Sequence, residues 1–191
     1  ALKISFANEI SLISKAYNAN SNVVMDLLKS DKSLNISPKY LRPGFAFGGS
    51  CLPKDVRAIR AKGKDKSIQT PIFDALLEAN DEQVRRAKSM IDQSGKKKIG
   101  MMGLSFKAGT DDLRESPLVT LADQLLNDGY ELTIYDPCVF EAANMEGANQ
   151  KYIREGIPHI SKCLTENAED LLSASDLVVI GNGNKDFATI I

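Results

Sequence analysis

From Lys98 onward, two kinds of stretch alternate along the chain in an order that few folds accept. Lys98-Ile99-Gly100-Met101-Met102-Gly103-Leu104 is a short, almost wholly apolar run and reads as a buried strand. Residues 118–126 repeat apolar side chains at helical spacing and close near Gly129, and residues 131–135 read as a second strand ending at Asp136-Pro137. A later strand is expected at residues 177–180. A strand, a helix and a second strand in this order pair in parallel through a right-handed connection.

Residues 95–191 are therefore predicted to form a Rossmann-like domain around a parallel sheet. The segment Gly103-Leu104-Ser105-Phe106-Lys107-Ala108-Gly109 sets its glycines six apart, so the G-x-G-x-x-G fingerprint is missing and the domain is not read as the primary dinucleotide site. Residues 1–94 carry a helical pattern instead. Leu2, Phe6, Ile10, Ile13 and Tyr17 recur at spacings of three and four, which puts them on one face of a helix and leaves Asn8 and Glu9 off it. A second helix is expected to start at Ser21 or Asn22 as its cap and to carry Val23, Val24, Leu27 and Leu28. Residues 34–50 contain Pro38, Pro43, Gly44, Gly48 and Gly49, which exclude a regular helix and demand a shaped loop. A short helix follows over 54–62, with Pro53 in its first turn and Gly63 as its end. Thr70 as cap and Pro71 at the first helical position open a longer helix reaching residue 93, roughly 35 Å and long enough to join two domains. The fold class is thus mixed α and α/β.

Composition narrows the function. With 24 Lys+Arg against 25 Asp+Glu, the net charge of -1 provides no field for nucleic acid or an anionic membrane, so any anionic ligand must be caught locally. Three cysteines at wide spacing and a single histidine indicate neither a disulfide framework nor a metal site, and fit a reducing cytoplasm. No apolar run approaches the roughly 20 residues of a membrane span, so a soluble protein is expected. The chain starts without Met and stops at Ala188-Thr189-Ile190-Ile191 just after a strand-like run, which leads to the expectation that it is part of a longer polypeptide.

The chemistry concentrates in Phe47-Gly48-Gly49-Ser50-Cys51-Leu52-Pro53-Lys54-Asp55. Two adjacent glycines let the backbone approach a ligand and aim N–H groups at it. Cys51 falls at a helix start, where the helix dipole and Lys54 favour thiolate over thiol. Asp55 lies one turn on, within reach of a water attacking a group held on the sulfur. On these residues alone a small buried cysteine beside a solvated Lys-Asp pair stands as the other reading.

The string Gly44-Phe45-Ala46-Phe47-Gly48-Gly49-Ser50-Cys51-Leu52-Pro53-Lys54-Asp55 resembles the active-site signature of the UDP-glucose/GDP-mannose dehydrogenase family. Gly103-Leu104-Ser105-Phe106-Lys107-Ala108-Gly109-Thr110-Asp111-Asp112-Leu113-Arg114-Glu115-Ser116-Pro117 resembles the family's second hallmark, at the expected separation. The resemblance runs over the whole chain. Asn35-Ile36-Ser37 and Tyr40-Leu41-Arg42-Pro43 look closer to the GDP-mannose members, although Lys39-Tyr40 stands where those often carry a Tyr pair. UDP-glucose members more often show Gly at the place of Ala46 and Phe at that of Leu52.

This resemblance implies a helical central dimerisation domain joined by the long helix to a nucleotide-sugar-binding domain, in a homodimer or higher homo-oligomer. It implies NAD-dependent oxidation of a sugar C6 hydroxyl to the carboxylate, with GDP-mannose as the favoured substrate and UDP-glucose as the alternative. Cys51 would capture the aldehyde, Asp55 would help activate water, and the Gly48 backbone would touch the sugar. Asn8, Asn35, Tyr40, Arg42, Phe106 and Lys107 match positions holding the nucleotide sugar, partly across the dimer interface, and Lys54 and Arg114 match positions that reach NAD. The family's NAD-binding domain, with a catalytic Lys and Asn, is expected before Ala1. Residues 1–191 alone are therefore expected not to turn over substrate, and Lys3 lies too near Cys51 in sequence to be that lysine.

Cys138 and Cys163 lack glycine-rich or cationic neighbours and read as structural, His159 as a loop or strand-end residue, and Lys96-Lys97-Lys98 as a solvated strand entry. The rival from another class is a non-catalytic nucleotide-sugar-binding or dimerisation module. The set Cys51, Lys54 and Asp55 favours an enzyme, since binding alone needs no thiol.

Overall fold

The computed structural model describes residues 1–33, 37–145 and 148–190. Contacts divide the chain into two compact units: Ala1–Phe47 with Cys51–Val84, and Gly48–Ser50 with Arg85–Ile191. The first unit is helical. Helix α1 spans Leu2–Ala16, α2 Ser21–Ser30, α3 Leu52–Asp65 and α4 Pro71–Ser94, the last continuing past Val84 into the second unit.

Apart from Ile10, the expected apolar stripe of α1 faces outward. Leu2, Phe6, Ile13 and Tyr17 are 60%, 43%, 56% and 82% exposed, whereas Ser5, Ala7, Asn8, Ser11 and Ser14 are buried. Small side chains let α1 and α2 approach closely, and Ser11 Oγ donates to Ser21 Oγ at 3.1 Å across the seam. Ala7, Met25 and Leu41 form the local core, with Ile10 packed against it. On α2 the outer positions are again apolar, with Val23 56% and Leu27 69% exposed.

Two expected helix boundaries move. The cap of α2 is Asn20, one residue before the expected Ser21, because its side chain accepts from both Asn22 N and Val23 N. Gly63 lies inside α3 rather than ending it. A Cβ there would sit 2.6 Å from Thr70 Cγ2, so glycine answers to the returning chain, and Ser67 takes the left-handed turn after the helix.

The second unit holds a parallel sheet in the order β3-β2-β1-β4, built from β1 Lys98–Met102, β2 Glu131–Tyr135, β3 Leu164–Thr165 and β4 Leu177–Ile180. The expected first strand is two residues shorter than the apolar run, since Gly103 turns to φ 90°. Helix α5, Pro117–Asn127, makes the β1-to-β2 crossover and buries Leu118, Leu121, Ala122 and Leu125, the i, i+3, i+4, i+7 row of an amphipathic helix. After β2 come α6 Pro137–Asn144, α7 Ala148–Lys151, a π-helical turn Tyr152–Gly156 and α8 Pro158–Ser161; α9 Ala168–Ala174 precedes β4, and α10 is Phe187–Ile190. Helix α9 presses closely on β1: a Cβ on Gly100 would lie 2.5 Å from Leu171 Cδ2. Met102, two residues on and so on the same face, packs with Leu171, Ala168 and Phe187. Met101 and Ile134, which the alternation sends to the other face, are fully buried. Among the described residues no helix is long and apolar enough to cross a membrane.

The last turns of α4 are tied to the start of β2 by a polar network. Lys88 Nζ reaches Asp92 Oδ2 at 3.0 Å and Asp128 Oδ2 at 2.6 Å, Tyr130 OH donates to Asp92 Oδ1 at 2.5 Å, and Lys97 Nζ sits 4.0 Å over the Tyr130 ring. The Tyr130 hydroxyl, and then Lys88, hold the Asp92 carboxyl below its ordinary value, while Asp128 and Asp92 raise Lys88. A depressed carboxylate stabilises the fold above its unfolded pKa, and this contribution is lost as pH falls through the folded value. Asp92→Asn is therefore expected to be less stable than the parent at pH 6–7, with the gap closing below about pH 4. Urea unfolding across that range measures it, and a gap that widens on acidification contradicts the network.

Candidate functional site

The segment from Gly44 to Ser50 has no strand partner, so side chains must satisfy its backbone. Two asparagines do so. Asn8 is 3% exposed; its Oδ1 accepts from Gly44 N at 2.8 Å and its Nδ2 donates to Phe45 O at 3.1 Å. Asn80 of α4 repeats the arrangement on Phe47, accepting from its N–H at 2.7 Å and donating to its C=O at 3.0 Å.

Cys51 then caps α3. It is exposed, and Asp55 N donates to Cys51 O at 2.9 Å, which sets Asp55 one helical turn further on. Lys54 Nζ lies 3.8 Å from Asp55 Oδ1, both side chains about two-thirds exposed (68% and 66%), so the pair is solvated and contributes little by itself. Burial pushes the Cys138 thiol up, with Asp136 and Glu141 adding to the effect, and burial alone raises Cys163, whose Sγ lies 3.4 Å from His159 O. His159 pairs with Asp123 at an exposed position.

In the second unit the loop after β1 is anchored from three directions. Asp136, 4% exposed at the end of β2, accepts from Leu104 N at 2.8 Å and Ser105 N at 3.2 Å through Oδ2, and caps α6 by accepting from Val139 N through Oδ1. Ser116, the N-cap of α5, donates to Leu104 O at 2.8 Å. Asn182 donates to Ser105 O at 3.3 Å, and a Cβ on Gly103 would come within 2.6 Å of its amide nitrogen. An acid at the end of the second strand of a dinucleotide fold takes ribose hydroxyls. Here both its oxygens are spent on backbone, which agrees with the missing glycine fingerprint.

Held this way, Gly103–Ser105 are buried while Phe106 and Lys107 are lifted to the surface. Gly48 and Gly49, which belong to the second unit, pack against the second motif here. A Cβ on Gly48 would fall 2.4 Å from Glu115 O and 2.7 Å from Pro117 Cδ, and one on Gly49, at φ 85°, would fall 2.8 Å from Phe106 Cζ. Glu115 has φ 53°, a costly conformation for a residue with a Cβ, and it aims its carbonyl at Gly48. Arg114 grips Asp112 through two parallel bonds of 2.7 and 2.9 Å, which hold the Asp112 carboxyl below the usual range; the Arg114 side chain is still 60% exposed.

Of the remaining expected site residues, Tyr40 is 67% exposed and has φ 67°, Arg42 is exposed, and Asn35 lies outside the described residues. Sequence reasoning missed Asn80, Glu115, Asp136 and Asn182. A signal existed for Asn80, which stands on the stripe of Phe73, Leu76, Leu77 and Val84, where a polar side chain needs a partner. Gly48→Ala is expected to destabilise the second unit by about 1–3 kcal/mol through overpacking against Glu115 and Pro117. Denaturant unfolding checks this, and a cost near zero would mean that the two motifs do not touch.

Residues 1–82 match the central domain of the UDP-glucose/GDP-mannose dehydrogenase family and residues 100–191 match its UDP binding domain. The chain is 47% identical over its whole length to a GDP-mannose 6-dehydrogenase of Pseudomonas putida, covering 43% of that protein. It is 32% identical to a UDP-glucose 6-dehydrogenase of Haloferax volcanii, covering 42% of it. Among solved structures, a ternary complex of GDP-mannose dehydrogenase from Pseudomonas aeruginosa matches with a TM-score of 0.78 at 47% identity, covering all of this chain and 43% of that one. A UDP-glucose dehydrogenase from Pyrobaculum islandicum matches at 0.82 and 30%, over 97% of this chain and 41% of that one. The chain thus spans less than half the length of these relatives. Two domain matches in the family's order, with 47% identity over the whole chain to one of its members, establish that the chain belongs to the UDP-glucose/GDP-mannose dehydrogenase family.

Proposed function

We propose that this chain supplies the covalent and sugar-nucleotide-binding parts of an NAD-dependent nucleotide-sugar 6-dehydrogenase acting on GDP-mannose. The observation that carries the reading is the exposed Cys51 at the N-terminus of α3, two residues after glycines packed against the second motif. The GDP-mannose preference rests on relatives at 47% identity, against 32% for a UDP-glucose enzyme.

Oxidation of a primary alcohol to a carboxylate removes four electrons. NAD⁺ would supply the hydride acceptor, one molecule for each two-electron step. After the first step the Cys51 thiolate adds to the aldehyde carbon, forming a C–S bond while the new alkoxide takes a proton. Loss of a second hydride from this thiohemiacetal leaves a thioester on Cys51. Water, oriented by Asp55, cleaves it, releasing the carboxylate and returning the sulfur as thiolate. Covalent capture keeps the aldehyde from escaping between steps. The Gly48 backbone with Phe106 and Lys107 would hold the sugar nucleotide, together with Asn8, Asn35, Tyr40 and Arg42. Lys54 and Arg114, both largely exposed cations, suit a pyrophosphate.

The outward apolar faces of α1 and α2 favour a homodimer, since Leu2, Phe6, Ile13, Tyr17, Val23 and Leu27 gain from burial against a second copy. The three cysteines, none in a disulfide, suit a reducing cytoplasm.

In the intact protein, Cys51→Ala is expected to lower uronate formation by about three orders of magnitude. Calorimetry should show GDP-mannose binding more tightly than UDP-glucose. Full activity without the thiol refutes the covalent route, and preference for UDP-glucose reverses the substrate assignment. Phe6→Glu with Leu27→Glu should weaken self-association at least about tenfold by sedimentation, and an unchanged assembly would remove these helices from the interface.

A further inference from the structure

The glycine-rich loop owes its shape at Phe47 to a residue of α4. Asn80 pairs with both the N–H and the C=O of Phe47, the exchange that a neighbouring antiparallel strand would make. Two bonds to one residue hold its peptide planes, where a single bond would leave them free to turn. Phe47 itself is 6% exposed, so the clamp is shielded from competing water. Beyond it come Gly48, Gly49 and Ser50, and then Cys51 at the cap of α3. A displacement of Phe47 is passed along this short, closely packed stretch of backbone to the cap. The thiol would then spend time away from its place at the N-terminus of α3.

We propose that Asn80 is a positioning residue for Cys51, acting through its two-point grip on Phe47. The link to the thiol rests on Cys51 being the nucleophile; the grip itself does not.

The test uses the intact protein with Asn80→Ala, which loses both bonds, and Asn80→Asp, which keeps the acceptor but sets a second oxygen against Phe47 O. Exchange of the Phe47 amide, corrected for its intrinsic rate, should speed up about tenfold in the Ala variant. In the Asp variant protection should return as pH falls through about 4, because the neutral acid both donates and accepts as the amide does. A role limited to helix stability produces no such step. Alkylation of Cys51 at neutral pH should slow about tenfold in the Ala variant, with Cys138 and Cys163 within about twofold of the parent. Unchanged Phe47 exchange overturns the grip. Faster exchange with an unchanged Cys51 rate overturns the link to the thiol. Parent Cys51 no faster than Cys138 and Cys163 overturns the nucleophile, while the exchange data still decide the grip. If the Ala variant does not fold, the Asp variant decides alone, and absence of its pH step overturns the proposal.

Discussion

Backbone amides without a ladder must find partners elsewhere or lose the free energy of their hydration, and the loop ahead of Cys51 is built around that requirement. Residues 44–47 take their partners from the side chains of Asn8 and Asn80, one on α1 and one on α4. Amides suit the task because each presents one acceptor and one donor with the spacing of a peptide group. The loop behaves as a strand whose neighbours are two side chains. It gains definition at two points without the surface a real strand would cover.

A second constraint is steric and belongs to the other motif. Glu115 is held in a left-handed conformation that few residues with a Cβ adopt, and its carbonyl occupies the space a side chain at Gly48 would need. Strain of this kind persists only where the surroundings impose it. Here the surroundings are Leu104, Ser116 and Asp136, whose hydrogen bonds tie the loop after β1 to the starts of α5 and α6. A buried carboxylate that a dinucleotide fold would turn toward ribose has become an internal strut.

Much of this was legible in the sequence, and the reasons differ by region. Strands β2 and β4 fall where alternation and apolar runs predicted them, and α4 begins at Pro71, because those signals depend on neighbours in sequence. Cys51, Lys54 and Asp55 are found as one turn at the start of α3, as their spacing implied. Gly63 was misread because a helix-ending glycine and a glycine under a returning chain look alike in sequence; only contact with Thr70 separates them. Asn80 and Glu115 escaped because their meaning lies in partners 33 and about 70 residues away. The outward apolar face of α1 was visible as a stripe, but a stripe gives no sign of which side of it the rest of the protein occupies.

That face has a consequence for how the first unit is stabilised. Helices whose seam is mostly serines with Ala7 and Met25 recover modest hydrophobic free energy from their own contact, while Leu2, Phe6, Ile13 and Leu27 on the far side stay exposed. Where a second copy covers those side chains, folding and assembly share one free energy, and the stability of the unit becomes a property of the solution as well as of the chain. The midpoint of its unfolding would then climb with protein concentration, and dilution would act on it as a mild denaturant.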